Sequence, residues 1–496
     1  MLSKNISIAL ALSILSLSIF LQPCTPIFRL RTARFCNDCY APPLDGMEPP
    51  LPFGYRISNL SQPAVPLQPI SGPEATIVIC VEFADVYHSK EQSEIHNIVF
   101  KRMNDYYREV SFGSTFIVGN TTRWYRVDNS MSYYGTDGLS IDDPNRDGYP
   151  DSWRLIHDAV RLADGDVNFK QYSHVIVVHA GNGEESSRVN SDIWSVYYEE
   201  LSISTNDGVT ITHASLMPES EVGADVLGVY VHEFGHELGL PDLYDVTYRQ
   251  DFVGRWCLMG MGTWNGKPPG SSPAHLLAWC KIKLGWIKTS SIKRVDSNSF
   301  ANLTLNPIEN SAPGYYAIKM PLAGGNYYLA EVRQKVGFDS SLPSSGLLVT
   351  QIDEGLSSGY GIVRVKDANP SYTLDDAAFQ VQQTFRDKDN NVAVSVLSAG
   401  SLSLVVNVER RPPAPDLTVA NVGLDPSTPR VGETVTFSAE VKNMGTATAD
   451  SFRVSCYLDG KRLSTTVFSL DEGASATVRV TWNATSGSHL VKFAVD

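Results

Sequence analysis

The chain has 496 residues, 43% of them hydrophobic, and a formal net charge of −14. That length exceeds one ordinary domain, and the apolar share is enough for a sizeable core. The acidic balance weighs against a nucleic-acid partner, because phosphate binding needs a basic face.

The first residues carry a targeting pattern. Lys4 supplies positive charge near the start, and Ile6 to Leu21 then runs without a charged residue. This is the layout of a secretory signal peptide, expected over residues 1–23, with a retained N-terminal anchor as the alternative. No later segment reaches the roughly 20 apolar residues a membrane helix needs, so no span is expected unless that first segment is kept. Seven cysteines, scattered apart from the Cys36–Cys39 pair, make no dense disulfide framework. A local disulfide is expected at Cys36 and Cys39; the alternative is that a thiolate at one of them holds zinc in a latent form.

Residues 40–73 contain nine of the 28 prolines. Such a composition suits neither helix nor central strand, and residues 24–73 read as a leader or propeptide. Order is expected from about Ala75. Thr76 to Phe83 and His174 to His179 are short apolar runs of buried-strand type. Ser93 to Val110 and Asp151 to Ala163 read as helices. A third helix is expected over Asp225 to Leu238, with Leu227, Val231, Phe234 and Leu238 forming its apolar stripe. These elements define a first domain over 74–290. From about 290 the pattern changes to short strands, among them Tyr327 to Val332 and Gly346 to Ile352, marking a β-rich domain over 291–410. Beyond the linker Arg410 to Pro415, apolar residues alternate at Val435, Phe437, Ala439 and Val441, and again at Phe452, Val454, Cys456 and Leu458. That period of two, with frequent turns, describes a β-sandwich over 416–496. The fold class expected is α+β.

The third helix holds the chemistry. His232 and His236 are four residues apart and share one helix face, so both imidazoles can reach one zinc ion at roughly 2.0–2.1 Å. Glu233 lies about 100° further round, placed to act on a water as general base rather than to bind the ion. Gly228 and Gly235 are read as leaving room on the histidine side for a metal and a substrate backbone. Catalytic zinc takes a third protein ligand and keeps one open position. Gly239 can end the helix with a positive φ, Pro241 prevents its resumption, and Asp242 is then carried back towards the ion. After Glu237 the next glutamate is Glu309, beyond the expected domain, which argues against a glutamate ligand. Asp245 is the reserve carboxylate.

The string His232 to Asp245, reading His-Glu-Phe-Gly-His-Glu-Leu-Gly-Leu-Pro-Asp-Leu-Tyr-Asp, resembles the immune inhibitor A family of secreted prokaryotic metalloproteases, which are metzincin-type zinc enzymes using Asp as third ligand. Trp256 to Gly266 resembles the family's Met-turn. That implies Met259 as an apolar floor beneath the zinc, with Met261 as the other choice and simple core filling as the bland one. Val178 to Ser186 resembles the strand and loop before the active helix. Tyr327 to Asp353, with Arg333, Asp339 and Leu342-Pro343, resembles the β-rich region after it. The resemblance covers roughly residues 75–410; residues 416–496 look like a CARDB-type immunoglobulin-like module.

Four secondary features carry weaker expectations. Asp143, Asn145, Asp147 and Asp151 have the spacing of the front of an EF-hand-type calcium loop, but position twelve is Arg154; a polar turn with Asp151 capping the helix is the alternative. Glu184 and Glu185 are expected in a solvated loop. Glu219 is a candidate to orient a histidine ligand, with helix entry as the other reading. Asn59, Asn120, Asn302 and Asn483 begin Asn-x-Ser/Thr sequons.

The expected function is a secreted zinc endopeptidase acting on protein or peptide substrates, with Glu233 as general base. The alternative is a catalytically inactive cell-surface protein that binds its ligand through the C-terminal β-sandwich.

Overall fold

The computed structural model describes residues 69–136, 151–247, 249–370, 373–410, 414–445 and 447–495. They fall into two compact units, with the boundary between Arg410 and Arg411. The signal and most of the leader, Cys24, Cys36, Cys39, and the calcium candidates Asp143, Asn145 and Asp147 lie outside the described residues. So does the side chain of Asp151, whose backbone begins a helix running to Ala163.

The first unit opens on a five-stranded sheet. Its strand order is Thr115–Arg126, Gly72–Glu82, His174–Asn182, Ala214–Ser220 and Val196–Tyr198. The first four run parallel, and Val196–Tyr198 is antiparallel at the edge. The inner strands Gly72–Glu82 and His174–Asn182 are covered on both faces, which explains their unbroken apolar runs. Val78, Cys80, Ile176 and Val178 point to one face, where they join a core with the helical stretch from Gln92 to Val110 and the helix Leu227–Glu237. Ile77, Ile79, Val81, Val175 and Val177 point to the other, against Leu155, Ile156, Ala159, Val160 and Ala163. The helix expected from Ser93 to Val110 is interrupted by a π-helical turn at Ile98–Met103. Such turns widen a helix locally, and here the next residues aim two tyrosines inward. Tyr106 Oη donates to the Ala274 carbonyl at 2.7 Å, and Tyr107 Oη to that of Val231 at 2.6 Å.

Two further sheets complete this unit. Ile292–Arg294, Ala317–Pro321, Tyr327–Arg333, Gly346–Ile352 and Val363–Lys366 form one; Ser299–Leu305, Leu404–Arg410, Val392–Ala399 and Thr384–Asp387 form the other. Ala330, Val332, Leu347 and Val349 pack against Val394, Val406 and Val408 between these sheets. Leu329, Leu348, Ile352 and Val363 face the opposite way, into the core that surrounds the Leu227–Glu237 helix. The β-rich region thus shares a core with the helix that carries the histidines.

The second unit is a two-sheet sandwich. Leu417–Asp425, Thr434–Asn443 and Ser475–Asn483 face Lys461–Leu470, Ala449–Leu458 and Val491–Val495. The alternating residues Val435, Phe437, Ala439, Val441, Phe452, Val454, Cys456 and Leu458 are all buried. The α+β class read from the sequence, with its terminal sandwich, is the one observed. Cys80, Cys257, Cys280 and Cys456 are free and buried. No helix among the described residues is long and apolar enough to cross a membrane.

Candidate metal centre

Every residue of the Leu227–Glu237 helix is buried. The apolar stripe explains one side; the other side is covered because two later segments close over it. Gly239 ends the helix at φ +89°. Its N–H donates to the His236 carbonyl at 2.8 Å, and the Leu240 N–H to that of Gly235 at 3.0 Å. This is a Schellman motif, and it also serves the site: the Leu240 carbonyl accepts from His236 Nδ1 at 2.7 Å. The Leu258 carbonyl does the same for His232 Nδ1 at 3.0 Å, with Thr263 Oγ1 3.2 Å from that nitrogen. A carbonyl can only accept. Both Nδ1 atoms therefore carry the proton, and both Nε2 atoms keep a lone pair for a ligand.

Past Gly239 the chain doubles back. Asp242 Oδ1 lies 3.3 Å from His232 Nε2 and 3.2 Å from His236 Nε2. The three ligand atoms are all within 4.8 Å of one another, and all three residues are buried. Asp242 Oδ1 has no hydrogen bond of good geometry among the described residues. Burial alone would raise the Asp242 carboxyl, but His236 and His232, when protonated in the absence of an ion, lower it well below the usual carboxylate range. Two imidazole nitrogens and one carboxylate oxygen, converging in a buried pocket, fit the donor set of catalytic zinc with a fourth position left over. Glu233 sits beside His232 on the same helix and is buried with it.

The Asp242 loop is held from two directions. The Leu243 N–H donates to the Met259 carbonyl at 2.7 Å. The Asp242 N–H donates to Ser358 Oγ at 2.9 Å, and the Gly359 N–H to the Asp242 carbonyl at 3.0 Å. Asp245 stands apart from the histidines. It accepts from the N–H groups of Thr247, Arg249 and Gln250 and from Thr247 Oγ1, and so shapes the turn that follows.

The two helix glycines serve a different purpose from the one expected. A Cβ on Gly235 would meet Met259 Sδ at 2.7 Å, and one on Gly228 would meet the Thr263 carbonyl oxygen at 2.3 Å. The room they leave is filled by the Met259–Thr263 segment rather than by metal or substrate. Met259 is fully buried against the helix, whereas Met261 belongs to a small cluster with Val229, Tyr244 and Trp264. This segment is anchored by a buried charge network. Arg333 Nη1 donates to the Trp256 carbonyl at 2.5 Å, Nη2 to Asp339 at 2.6 Å, and Nε to Glu309 at 3.1 Å.

Glu184 and Glu185 are not in a solvated loop: both are buried in a short helical turn, and Ser195 binds Glu185 through its hydroxyl and its N–H. Glu219 lies in a strand, and among the described residues its carboxylate accepts from the N–H groups of Ser89, Lys90 and Gly181, not from a histidine. Sequence reasoning missed Ser358, Thr263 and Tyr197, whose ring stacks on His236 at 5.9 Å. Ser358 is 116 positions from Asp242 and carries no local signal; Thr263 lies within the Met-turn-like stretch Trp256 to Gly266, where the methionines drew the reading, and Tyr197 lies in no motif.

Residues 81–174 and 161–288 match the sequence profile of the immune inhibitor A peptidase M6 catalytic domain, and residues 414–496 match that of CARDB. The pre-pro-metalloprotease PrtV of Vibrio cholerae serotype O1 is 26% identical over 267 residues, covering 45% of this chain and 28% of that protein. Immune inhibitor A of Bacillus thuringiensis subsp. alesti is 27% identical over 263 residues, covering 40% of this chain and 38% of that protein. The chain thus spans well under half the length of these relatives. By these matches residues 81–288 are similar to the peptidase M6 catalytic domain of the immune inhibitor A family, and residues 414–496 to a CARDB domain.

Proposed function

We propose that the chain is a secreted zinc-dependent endopeptidase that hydrolyses peptide bonds of proteins. The convergence of His232 Nε2, His236 Nε2 and Asp242 Oδ1 carries this reading. The peptidase M6 match and the relatives named as metalloprotease and immune inhibitor A support it. Zinc held by these three residues would polarise a peptide carbonyl and bring the pKa of an attacking water towards neutrality. Glu233, adjacent to His232, takes the proton from that water and delivers it to the leaving amine. The Leu240 and Leu258 carbonyls keep both imidazoles in the binding tautomer throughout. Secretion rests on Lys4 and the uncharged run Ile6 to Leu21. The C-terminal sandwich is proposed to hold a cell-surface ligand. Calcium at Asp143, Asn145, Asp147 and Asp151 rests on their spacing alone.

The test is elemental analysis of the purified protein, with casein hydrolysis before and after chelation. Bound zinc, activity lost on chelation and activity restored by zinc support the proposal. Hydrolysis that survives complete removal of the metal refutes it.

A further inference from the structure

The far side of the same helix carries a second convergence of metal-ligating side chains. His174 begins a central strand, His213 precedes the next strand of that sheet, and Glu237 closes the helix one residue after His236. One nitrogen of each imidazole and one carboxylate oxygen lie within 4.8 Å of one another. His174 Nδ1 is 3.0 Å and His213 Nε2 3.4 Å from Glu237 Oε2. Glu237 Oε1 accepts from Ser215 Oγ at 2.9 Å, which fixes the carboxylate and turns Oε2 towards the histidines. Behind His174, Glu74 Oε2 sits 3.1 Å from Nε2. A carboxylate on one ring nitrogen of a histidine is the arrangement that orients its other nitrogen towards a metal.

We propose that His174 Nδ1, His213 Nε2 and Glu237 Oε2 form a second divalent transition-metal site, of zinc type. The donor set of two imidazoles and one carboxylate suits zinc rather than calcium or magnesium, which prefer oxygen. His174 lies between two carboxylates, Glu74 at 3.1 Å from Nε2 and Glu237 at 3.0 Å from Nδ1, so the pocket already presents negative charge to a cation. The ion displaces the proton of His174 Nδ1, which leaves to solvent past His213, and His174 keeps its Nε2 proton on Glu74. His213 gives up its contact with the Ser173 carbonyl and carries its proton on Nδ1, 3.1 Å from Thr212 Oγ1. The bound ion ties the last turn of the helix to two strands of the sheet. It also stands next to the first centre, because the Tyr197 ring lies 6.3 Å from His213 and 5.9 Å from His236.

The experiment uses the full chain, equilibrated with zinc alone and analysed for ions per molecule. His213→Ala is expected to lose one equivalent relative to the parent, and His236→Ala to lose a different one, so that the double variant loses both. Since His213 is one-third exposed, its removal leaves the core intact. Glu74→Gln, which touches no ion, is expected to weaken the second equivalent ten- to a hundred-fold, and it serves if His213→Ala does not fold. An unchanged ion count in His213→Ala, or unchanged affinity in Glu74→Gln, overturns the proposal. Loss of the ion only in His236→Ala leaves the first centre standing and removes this one.

Discussion

Met259 places its sulfur where a side chain at position 235 would have to go: a Cβ on Gly235 would come within 2.7 Å of it. The glycine between the two candidate ligands is therefore a packing requirement of the Met259 segment, which in turn supplies the carbonyl that orients His232. Met259 is fully buried, so it has little space to yield. Gly235→Ala is expected to destabilise the protein by about 1–3 kcal/mol. Combining it with Met259→Ala should recover part of that loss, a coupling of about 0.5–3 kcal/mol. Denaturant unfolding of the four variants checks this; strictly additive effects would show that the two positions do not meet.

Asp242 and Asp245 separate cleanly. Asp242→Ala removes a proposed ligand and should abolish tight zinc binding at this centre. Asp245→Ala removes an acceptor for three backbone N–H groups and should lower stability by about 1–3 kcal/mol while keeping the zinc. Metal content after dialysis distinguishes them. Zinc lost in the Asp245 variant and kept in the Asp242 variant reverses the assignment.

Arg333 is fully buried between Glu309, Glu331 and Asp339. Removing it as Arg333→Met leaves those carboxylates uncompensated, at a cost of about 3–5 kcal/mol. The Trp256 carbonyl also loses its donor, so metal affinity should fall along with the melting temperature. A melting temperature within about 2 °C of the parent would contradict this role.

His174 predicts a pH dependence. Its folded pKa is raised to about 9, above the unfolded value of about 6.5. A raised pKa stabilises the fold fully below the unfolded value, and that contribution disappears as pH rises through the folded one. In chelator-treated protein the stability advantage of the parent over His174→Gln should be on the order of 3 kcal/mol near pH 6 and vanish above pH 9. An advantage that is flat with pH contradicts the charged triad.

The histidine helix was legible because its signals are local. His232, His236, Gly239 and Pro241 act within one or two turns, and the Schellman turn at Gly239 is what a glycine there implies. The alternating strands of the sandwich were legible for the same reason. The surroundings of the site were not. Ser358 reaches Asp242 from the β-rich region, and Arg333 anchors Trp256 across 77 positions. Pairings at such separation leave no periodic trace in one sequence. Gly228 and Gly235 were assigned to metal and substrate because their neighbour, the Thr263 and Met259 segment, is invisible until the chain is folded. Glu184 and Glu185 read as solvated because burial of two adjacent carboxylates depends on Ser195 and the turn they occupy.

The most direct test of the account is Glu233→Ala, read in two ways on one sample. Glu233 is assigned to proton transfer and not to metal binding, so the variant should keep its zinc and lose casein hydrolysis by a factor of at least about 100. Retained zinc with full hydrolysis would contradict the account, because the proton would then be moved by another group.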